Sequence, residues 1–294
     1  METIPAKTIV TRTKSPGSWF GVDYNMNLYR GCCHGCIYCD SRSDCYGIEH
    51  FDRVRVKENC LQIVRDELRR KVLRGVVGTG SMSDPYNPLE REYRYTRHAL
   101  ELLSAFGFGA AIATKSDLIT RDMYVLREIR QQMPVLCKLT VTTAGDALAA
   151  KIEPYAPLPS ARFKAIERLS AAGLFSGVLL MPVLPFLEDN VSGVCEIVRQ
   201  AADAGAKFIY PSFGVTCRDR QREYYYRQLD AEFPGLRAKY VRQYGTGYYC
   251  ASPRTKELWA AFTEACVQRG ILFDMKTIIR AYKSGYDEPQ ISLF

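Results

Sequence analysis

The chain has 294 residues, of which 47% are hydrophobic and 24% charged, so it can bury a full core and does not have the composition of a disordered protein. It has no run near the ~18 apolar residues of a membrane span and no secretory signal at its start, which predicts a cytoplasmic protein without a membrane partner. Eleven cysteines then indicate reduced thiols. The net charge of +8 favours a polyanionic partner, although a solvated basic surface explains it equally well.

Short apolar segments alternate with amphipathic ones along residues 21–215. Residues 1–20 have no sustained period and predict an irregular leader. Strands are predicted at 21–30, 76–79, 110–114, 135–142, 178–181 and 208–210, and helices at 57–74, 90–106, 121–132, 161–172 and 191–204. This order predicts right-handed βαβ units and a parallel sheet, with too few units for a closed eight-stranded barrel. Active-site residues are expected just after the strand carboxyl ends.

The composition changes after residue 215, where arginine and tyrosine alternate over 216–250. Helices are predicted at 219–232, 235–243, 254–268 and 274–283. We interpret residues 216–285 as a helical extension that closes the open side of the barrel. Residues 286–294, with a Pro shortly before the end, predict a flexible tail.

A cysteine-rich stretch, Arg30–Cys39, is the most specific feature of the chain. Cys32, Cys36 and Cys39 stand at C-x3-C-x2-C spacing. Three thiolates can hold three corners of a cubane iron–sulfur cluster and leave its fourth iron open. The alternative is a closed zinc site that recruits a fourth ligand such as Cys33, His34 or Cys45.

This spacing, with an aromatic residue before the last cysteine, resembles the signature of radical S-adenosylmethionine (SAM) enzymes. The stretches 27–39, 79–86, 114–116 and 142–154 resemble a narrower branch, the spore photoproduct lyase-like proteins. The resemblance covers most of residues 20–285. It implies a partial (βα)6 TIM-type barrel and a [4Fe–4S] cluster on the three cysteines. SAM would bind the open iron and be cleaved to a 5′-deoxyadenosyl radical, with an electron donor such as flavodoxin or ferredoxin.

The resemblance also implies which residues contact SAM. Tyr38 is expected to pack on adenine, and Lys115 to neutralise a carboxylate or phosphate. Arg162 either reaches the SAM carboxylate or forms a structural ion pair with Glu153. The remaining candidates carry hydroxyl or carboxylate groups: Thr79, Ser81 and Asp84 for the methionine amino group, although the usual Gly-Gly-Glu is missing, and Thr142 and Thr143 for the ribose.

Spore photoproduct lyase returns a hydrogen atom to its product radical from a cysteine thiol. Cys250, which follows two tyrosines, is the first candidate for this role, and Cys45 the second. Ordinary buried thiols remain the alternative for both.

Three functions remain open. The first is a lyase that acts on damaged or modified bases in DNA, supported by the resemblance and by the Tyr/Arg-rich extension. The second is the same radical chemistry on RNA, a peptide or a small metabolite, and the third a non-enzymatic iron–sulfur or zinc protein that binds nucleic acid. The last five residues favour the first, because they resemble the peptide by which repair proteins bind the DNA sliding clamp, with Gln290, Leu293 and Phe294 as its contacts.

Overall fold

A computed structural model describes residues 2–286. Its strands are β1 Thr3–Ile4, β2 Val10–Arg12, β3 Tyr24–Met26, β4 Tyr29–Arg30, β5 Arg55–Lys57, β6 Val76–Thr79, β7 Gly109–Thr114, β8 Val135–Thr140, β9 Phe175–Leu180, β10 Phe208–Pro211, β11 Gly214–Thr216 and β12 Tyr249–Ala251. Its helices are α1 Cys60–Arg70, α2 Glu90–Tyr93, α3 Tyr95–Ala105, α4 Met123–Arg130, α5 Asp146–Ile152, α6 Pro159–Ala171, α7 Val191–Asp203, α8 Asp219–Glu232, α9 Leu236–Tyr244, α10 Thr255–Gln268 and α11 Met275–Lys283.

The main sheet has seven strands in the order β10-β9-β8-β7-β6-β3-β2. Six of them, β3 and β6 to β10, are parallel, and β2 pairs antiparallel with β3 at the edge. Helices follow each of the strands β6 to β9, as in right-handed βαβ units. This is the α/β partial (βα)6 barrel that was predicted, with all six parallel strands at the predicted places. Within residues 2–286 no helix is long and apolar enough to cross a bilayer.

The outer face of the sheet forms the larger core. Residues such as Ile112, Leu139 and Val178 point outward and pack against the helices with Ala99, Leu126 and Ile166. The sequence indicated these strands because strands that are covered by helices are rich in apolar residues.

The inner face is closed at its amino-terminal end by two segments from the chain ends. A short 3-10 turn, Trp19–Gly21, and helix α11 pack there with Val76, Leu136 and Phe208. The Tyr282 hydroxyl donates to the carbonyl oxygen of Phe20 at 2.7 Å, which joins the two segments. We call this floor of the barrel the basal plug.

The other helices of the extension take different places. Helix α10 packs along α7, whereas α8 covers the cysteine loop through contacts with its 3-10 turns. The predicted helix 219–232 has these bounds in the structure. The helices predicted at 254–268 and 274–283 each begin one residue later, and the one predicted at 235–243 is shifted by one residue at both ends. Two expectations need correction. The stretch 1–20 contributes β1 and β2, and the predicted helix 90–106 is divided at Arg94, whose φ is 55°.

Candidate cofactor and substrate site

A cavity of about 460 Å³ lies at the carboxyl ends of the parallel strands. Its wall contains residues that end or follow successive strands: Asn25, Thr79, Ser81, Thr114, Lys115, Thr140, Met181 and Ser212. The cysteine loop and β11 complete the wall. Since the carboxyl ends of parallel strands are where such folds place ligands, the cavity is the candidate site.

Cys32, Cys36 and Cys39 all line this cavity. Two glycines allow the loop to bend around it. Gly31 has a φ of 83°, and a Cβ there would lie 2.6 Å from the carbonyl oxygen of Phe51; Gly35 has a φ of 71°, and its Cβ would lie 2.7 Å from the Tyr155 ring. Both positions therefore require glycine.

The three thiols are largely buried, which suits cluster ligands better than free cysteines that are exposed to solvent. Burial raises the pKa of each, that of Cys36 to about 12, despite the opposing effect of Lys115. Thiolates in this place need the positive charge of bound metal. Within residues 2–286 no group of three or more histidine, cysteine or carboxylate side chains is gathered in an arrangement that holds a metal ion. The case for a cluster comes from the donor set, which is three thiols on one cavity wall.

Asp84 lines the cavity, but its carboxylate is already engaged. It accepts hydrogen bonds from the Thr114 hydroxyl at 2.6 Å and the Lys115 backbone amide at 2.7 Å, and His34 Nε2 lies 3.2 Å away. Burial alone would raise its pKa, but these partners lower it to about 2. Asp84 thus joins the cysteine loop to the ends of β6 and β7, and its partner His34 is not free to act as a zinc ligand.

Glu153 and Arg162 form a buried ion pair at 2.5 Å. The Arg162 guanidinium also donates to the carbonyl oxygens of Thr140 and Pro157, at 2.9 and 2.7 Å, and the residue is completely buried. The Arg162 side chain does not line the cavity, so the expectation that it reaches the SAM carboxylate stays a prediction without support from this geometry. The structure has the alternative, a structural ion pair.

The same carboxylate organises two residues on the cavity wall. Tyr38 donates its hydroxyl to Glu153, and Lys115 Nζ lies 3.8 Å from Glu153 Oε1 and 5.5 Å from the Tyr38 ring centroid. Burial lowers the pKa of Lys115, but the neighbouring Cys36 and Glu153 raise it above its ordinary value. Lys115 therefore presents a fixed positive charge to the cavity.

The threonines after β8 are placed differently from the expectation. Thr142 is buried, its Oγ1 has no hydrogen-bond partner among residues 2–286, and neither it nor Thr143 lines the cavity. Thr143 Oγ1 accepts a hydrogen bond from the Gly145 amide at 3.3 Å. Thr140, two residues earlier on the inward face of β8, is the threonine of this segment that lines the wall.

Neither proposed hydrogen-donor cysteine lines the cavity. Cys250 on β12 is buried next to the Cys217 thiol, under Tyr225 and Tyr240, and Cys45 is exposed outside the cavity wall. Tyr249, one residue before Cys250, lines the cavity instead, because successive strand residues point to opposite faces. The role of Cys250 as a hydrogen donor stays a prediction that its buried position outside the cavity wall does not support.

The Tyr/Arg-rich stretch is largely structural. Tyr225, Tyr226 and Tyr240 are buried. Arg222 donates to three backbone carbonyls, and Arg218 pairs with Asp40 at 2.6 Å. Arg220 donates to the carbonyl oxygens of Arg42 and Ile48 and forms an ion pair with Asp44. This part of the extension fastens α8 to the cysteine loop, so it is not a free nucleic-acid surface as a whole.

The lining residues missed in the sequence include Trp19, Tyr249 and Lys138. Trp19 and Tyr249 have 46% and 45% of their surface exposed, and both line the cavity. Lys138 lies on β8, only 3% exposed, with its Nζ 4.6 Å from the centroid of the Phe20 ring. A lysine inside a strand of otherwise apolar and small residues was the signal that could have identified it.

The comparisons with known proteins agree with this geometry. The family model described as the radical SAM superfamily matches residues 26–198. An uncharacterized protein of Mycobacterium tuberculosis is 33% identical over 233 residues, which cover 77% of this chain and 68% of the relative. An uncharacterized protein of Methanocaldococcus jannaschii is 32% identical over 190 residues, covering 63% and 68% of the two chains.

Among solved structures, spore photoproduct lyase complexed with dinucleoside spore photoproduct superposes with a TM-score of 0.68 at 15% identity, over 92% of this chain and 82% of the lyase. A variant of that lyase with bound SAM superposes with a TM-score of 0.65 at 15% identity, over 86% and 77% of the two chains. At these identities the similarity shows a shared fold.

Proposed function

The chain belongs to the radical SAM superfamily, whose cofactors are a [4Fe–4S] cluster and SAM, and from this premise we propose that it is a lyase acting on a damaged or modified base in DNA. Cys32, Cys36 and Cys39 hold the cluster in this proposal. When bound, the cluster and SAM supply a 5′-deoxyadenosyl radical that removes a hydrogen atom from the substrate. The chain's own residues bind the two partners and keep water from them.

Residues around the cysteines would hold SAM. Lys115 offers a positive charge to its carboxylate, and Thr79, Ser81 and Thr140 offer hydroxyl groups. Tyr38 lines the same space while its hydroxyl donates to Glu153. Asp84, on the wall, and Arg162, behind it, act as positioning residues, since each is held by several hydrogen bonds.

One observation carries the choice of a nucleobase as substrate: two half-exposed aromatic rings, Trp19 and Tyr249, line the same solvent-open cavity. Large exposed rings are costly to leave in water, and stacking on a base is worth about 1–3 kcal/mol. The fold neighbour spore photoproduct lyase is known with a dinucleoside photoproduct bound, which supports the same substrate class here.

Tyr249 also replaces Cys250 in the proposed return of a hydrogen atom. Among residues 2–286, the cysteines that line the cavity are the three assigned to the cluster. The Tyr249 hydroxyl lies 3.2 Å from the Ser212 hydroxyl, which also lines the wall. A phenol in that place can donate its hydrogen atom to a substrate radical and become a tyrosyl radical, which one electron from the proposed electron donor and one proton would return to tyrosine. The buried Cys250 thiol does not line the cavity.

The test uses anaerobically reconstituted protein, SAM, a reductant and duplex or single-stranded DNA with defined lesions. We expect DNA to stimulate 5′-deoxyadenosine formation. Trp19→Ala and Tyr249→Ala should each weaken DNA binding about tenfold, as expected for loss of one stacked base. Tyr249→Phe should bind DNA normally but yield abortive products.

Matched controls are available on the same chain. Trp259, 46% exposed, and Tyr248, 55% exposed, do not line the cavity, so Trp259→Ala and Tyr248→Phe should behave like the parent protein. Cys36→Ala should lose iron and all SAM cleavage. Equal losses in the cavity variants and in their controls, or no response to any DNA, would contradict the proposal.

The proposed function includes two protein partners. An electron donor such as flavodoxin or ferredoxin would reduce the cluster. The clamp-like peptide with Gln290, Leu293 and Phe294 lies outside the described residues, and it remains a sequence-based proposal for delivery of the protein to DNA.

A further inference from the structure

Lys138 is a cation inside the barrel without an acidic partner. It stands at the middle of β8 on the inward face, between Ala113 of β7 and Gly177 of β9. Phe20 of the basal plug lies beneath it, 4.6 Å from Nζ to ring centroid. The surrounding side chains are thus methyl, hydrogen and aromatic groups, which cannot neutralise an ammonium group.

The charges on the rest of the cavity wall are already matched. Asp84 is engaged by His34, Thr114 and Lys115, and Asp40 by Arg218 and Thr216. Lys115 has Glu153. In the described part of the chain no carboxylate forms an ion pair with Lys138, and burial lowers its pKa to about 7. Folding therefore leaves the Lys138 ammonium group without an acidic partner among the described residues, and an anionic ligand beside it would favour its charged form.

The depth of Lys138 indicates which ligand. It lies two residues, about 6.6 Å, before Thr140 along β8, on the side away from the strand carboxyl end. The cysteine loop is at the carboxyl end, so the methionine portion of SAM, which binds the cluster, belongs there. An anionic group near Lys138 has to come from the second ligand of the cavity.

We infer that Lys138 is a substrate-recognition residue that binds an oxyanion which the substrate brings into the barrel. This rests on the proposed function, and it narrows the substrate to one with a negatively charged oxygen near the reacting base. Two sources have that chemistry: a phosphate of the nucleic-acid strand and an acidic substituent on the base. An unmodified neutral nucleoside lacks it and should bind poorly.

The experiment measures two quantities on the reconstituted protein with and without SAM. The first is the rate at which acetic anhydride labels Lys138, read by mass spectrometry of proteolytic fragments. The second is ligand affinity in the parent protein, Lys138→Met, Lys138→Arg and the control Lys151→Met. Lys151 also lies over an aromatic ring, Phe233, but it is exposed and does not line the cavity.

Four probes separate the possibilities: inorganic phosphate, thymidine 5′-monophosphate, a 5-carboxypyrimidine nucleoside and thymidine. We expect inorganic phosphate and at least one of the two anionic nucleosides to protect Lys138 from labelling. The protecting nucleoside identifies the source of the oxyanion. Lys138→Met should weaken its binding about tenfold to hundredfold, the usual loss for a charge-assisted hydrogen bond, while Lys138→Arg retains part of it. Lys151→Met should change nothing.

The outcomes keep this inference apart from the proposed function. If nucleosides bind equally well to the parent protein and to Lys138→Met, the inference fails and a nucleic-acid substrate stands. If inorganic phosphate protects Lys138 but no nucleoside binds, the oxyanion site stands and the nucleic-acid substrate fails. If SAM alone protects Lys138 and Lys138→Met loses SAM affinity, the oxyanion belongs to SAM and the inference is overturned. The labelling arm needs no variant, so a misfolded substitution cannot hide the answer.

Discussion

Burial inside this barrel strongly shifts the pKa of single charged residues. Lys138 illustrates it, because its folded pKa of about 7 lies below the ordinary value of about 10.4 for an unfolded chain. Between these values the unfolded state binds more protons than the folded state. The free energy of unfolding should therefore rise with pH, by at most about 1.4 kcal/mol per pH unit from this residue.

Lys138→Met removes this proton-linked effect, so we expect the variant to be more stable than the parent protein at pH 7. The gap should narrow as the pH rises towards 10, which thermal unfolding at several pH values would measure. The residues that face Lys138 from β7, β9 and the basal plug are Ala113, Gly177 and Phe20, and none of them titrates. The adjacent Cys137 stays neutral over this pH range because burial raises its pKa to about 12. Lys151→Met should show no such trend, and a gap independent of pH would argue against a buried unpaired cation.

At this scale the sequence predicted residue types better than residue contacts. The cysteines and glycines of the loop could be identified because ligand spacing and backbone conformation are local properties. For Arg162 the sequence left two roles open, since the choice depends on contacts with other elements, such as the carbonyl oxygen of Thr140. For Cys250 the sequence could not show orientation, because a three-residue strand is too short to reveal which of its residues faces inward.

At the scale of secondary structure, the basal plug is the element that positions the substrate end of the cavity. Ile278 of α11 is completely buried and packs in one cluster with Phe20 and Phe208. Ile278→Ala should lower the free energy of unfolding by about 2–5 kcal/mol, the usual loss for a large apolar side chain in a core. Chemical denaturation would measure it.

Val267 on α10 provides the control for this substitution, because it is 70% exposed. Val267→Ala should change stability by no more than about 0.5 kcal/mol. Since the plug supports Phe20 beneath Lys138, Ile278→Ala should also alter the labelling of Lys138. A loss no larger than that of Val267→Ala would mean that α11 is not part of the barrel core.

Elements were predicted well where periodicity reflects burial. The parallel strands and the helices after residue 215 were found because one face of each is apolar. Helix α5 was missed, since its seven residues are too few to establish a period. The predicted helix 57–74 was too long, because Leu73 continues the apolar spacing although it is 60% exposed. The basal plug joins segments that lie over 250 residues apart, a distance at which no local pattern is informative.

At the scale of the whole molecule, the charged residues that form structural contacts have to be distinguished from those that are free to form a binding surface. The net charge of +8 suggested nucleic acid, but Arg218 and Arg220 hold α8 on the cysteine loop, and Arg222 donates to backbone carbonyls within the extension. Exposed cations such as Arg242 remain available to phosphates. Net charge alone therefore supports a polyanionic partner only weakly, and an independent link to DNA is needed.

The tail motif offers that link. Gln290 can supply hydrogen bonds to a clamp, while Leu293 and Phe294 can fill an apolar pocket as anchors. A short peptide that orders on binding is expected to have micromolar affinity, about 8 kcal/mol. Clamp binding, measured by calorimetry with the full chain and with a synthetic tail peptide, should disappear in the double variant Leu293→Ala/Phe294→Ala.

Pro289→Ala is the matched control, because it changes a neighbouring residue outside the five-residue motif, and it should bind the clamp normally. SAM cleavage should be the same in all three proteins, since the substitutions lie far along the chain from the residues assigned to the cofactors. If the double variant instead loses stability and SAM cleavage, Leu293 and Phe294 pack against the barrel. If the peptide fails to bind at high micromolar concentration, the motif no longer supports work on DNA, and the aromatic pair Trp19 and Tyr249 has to support that substrate without it.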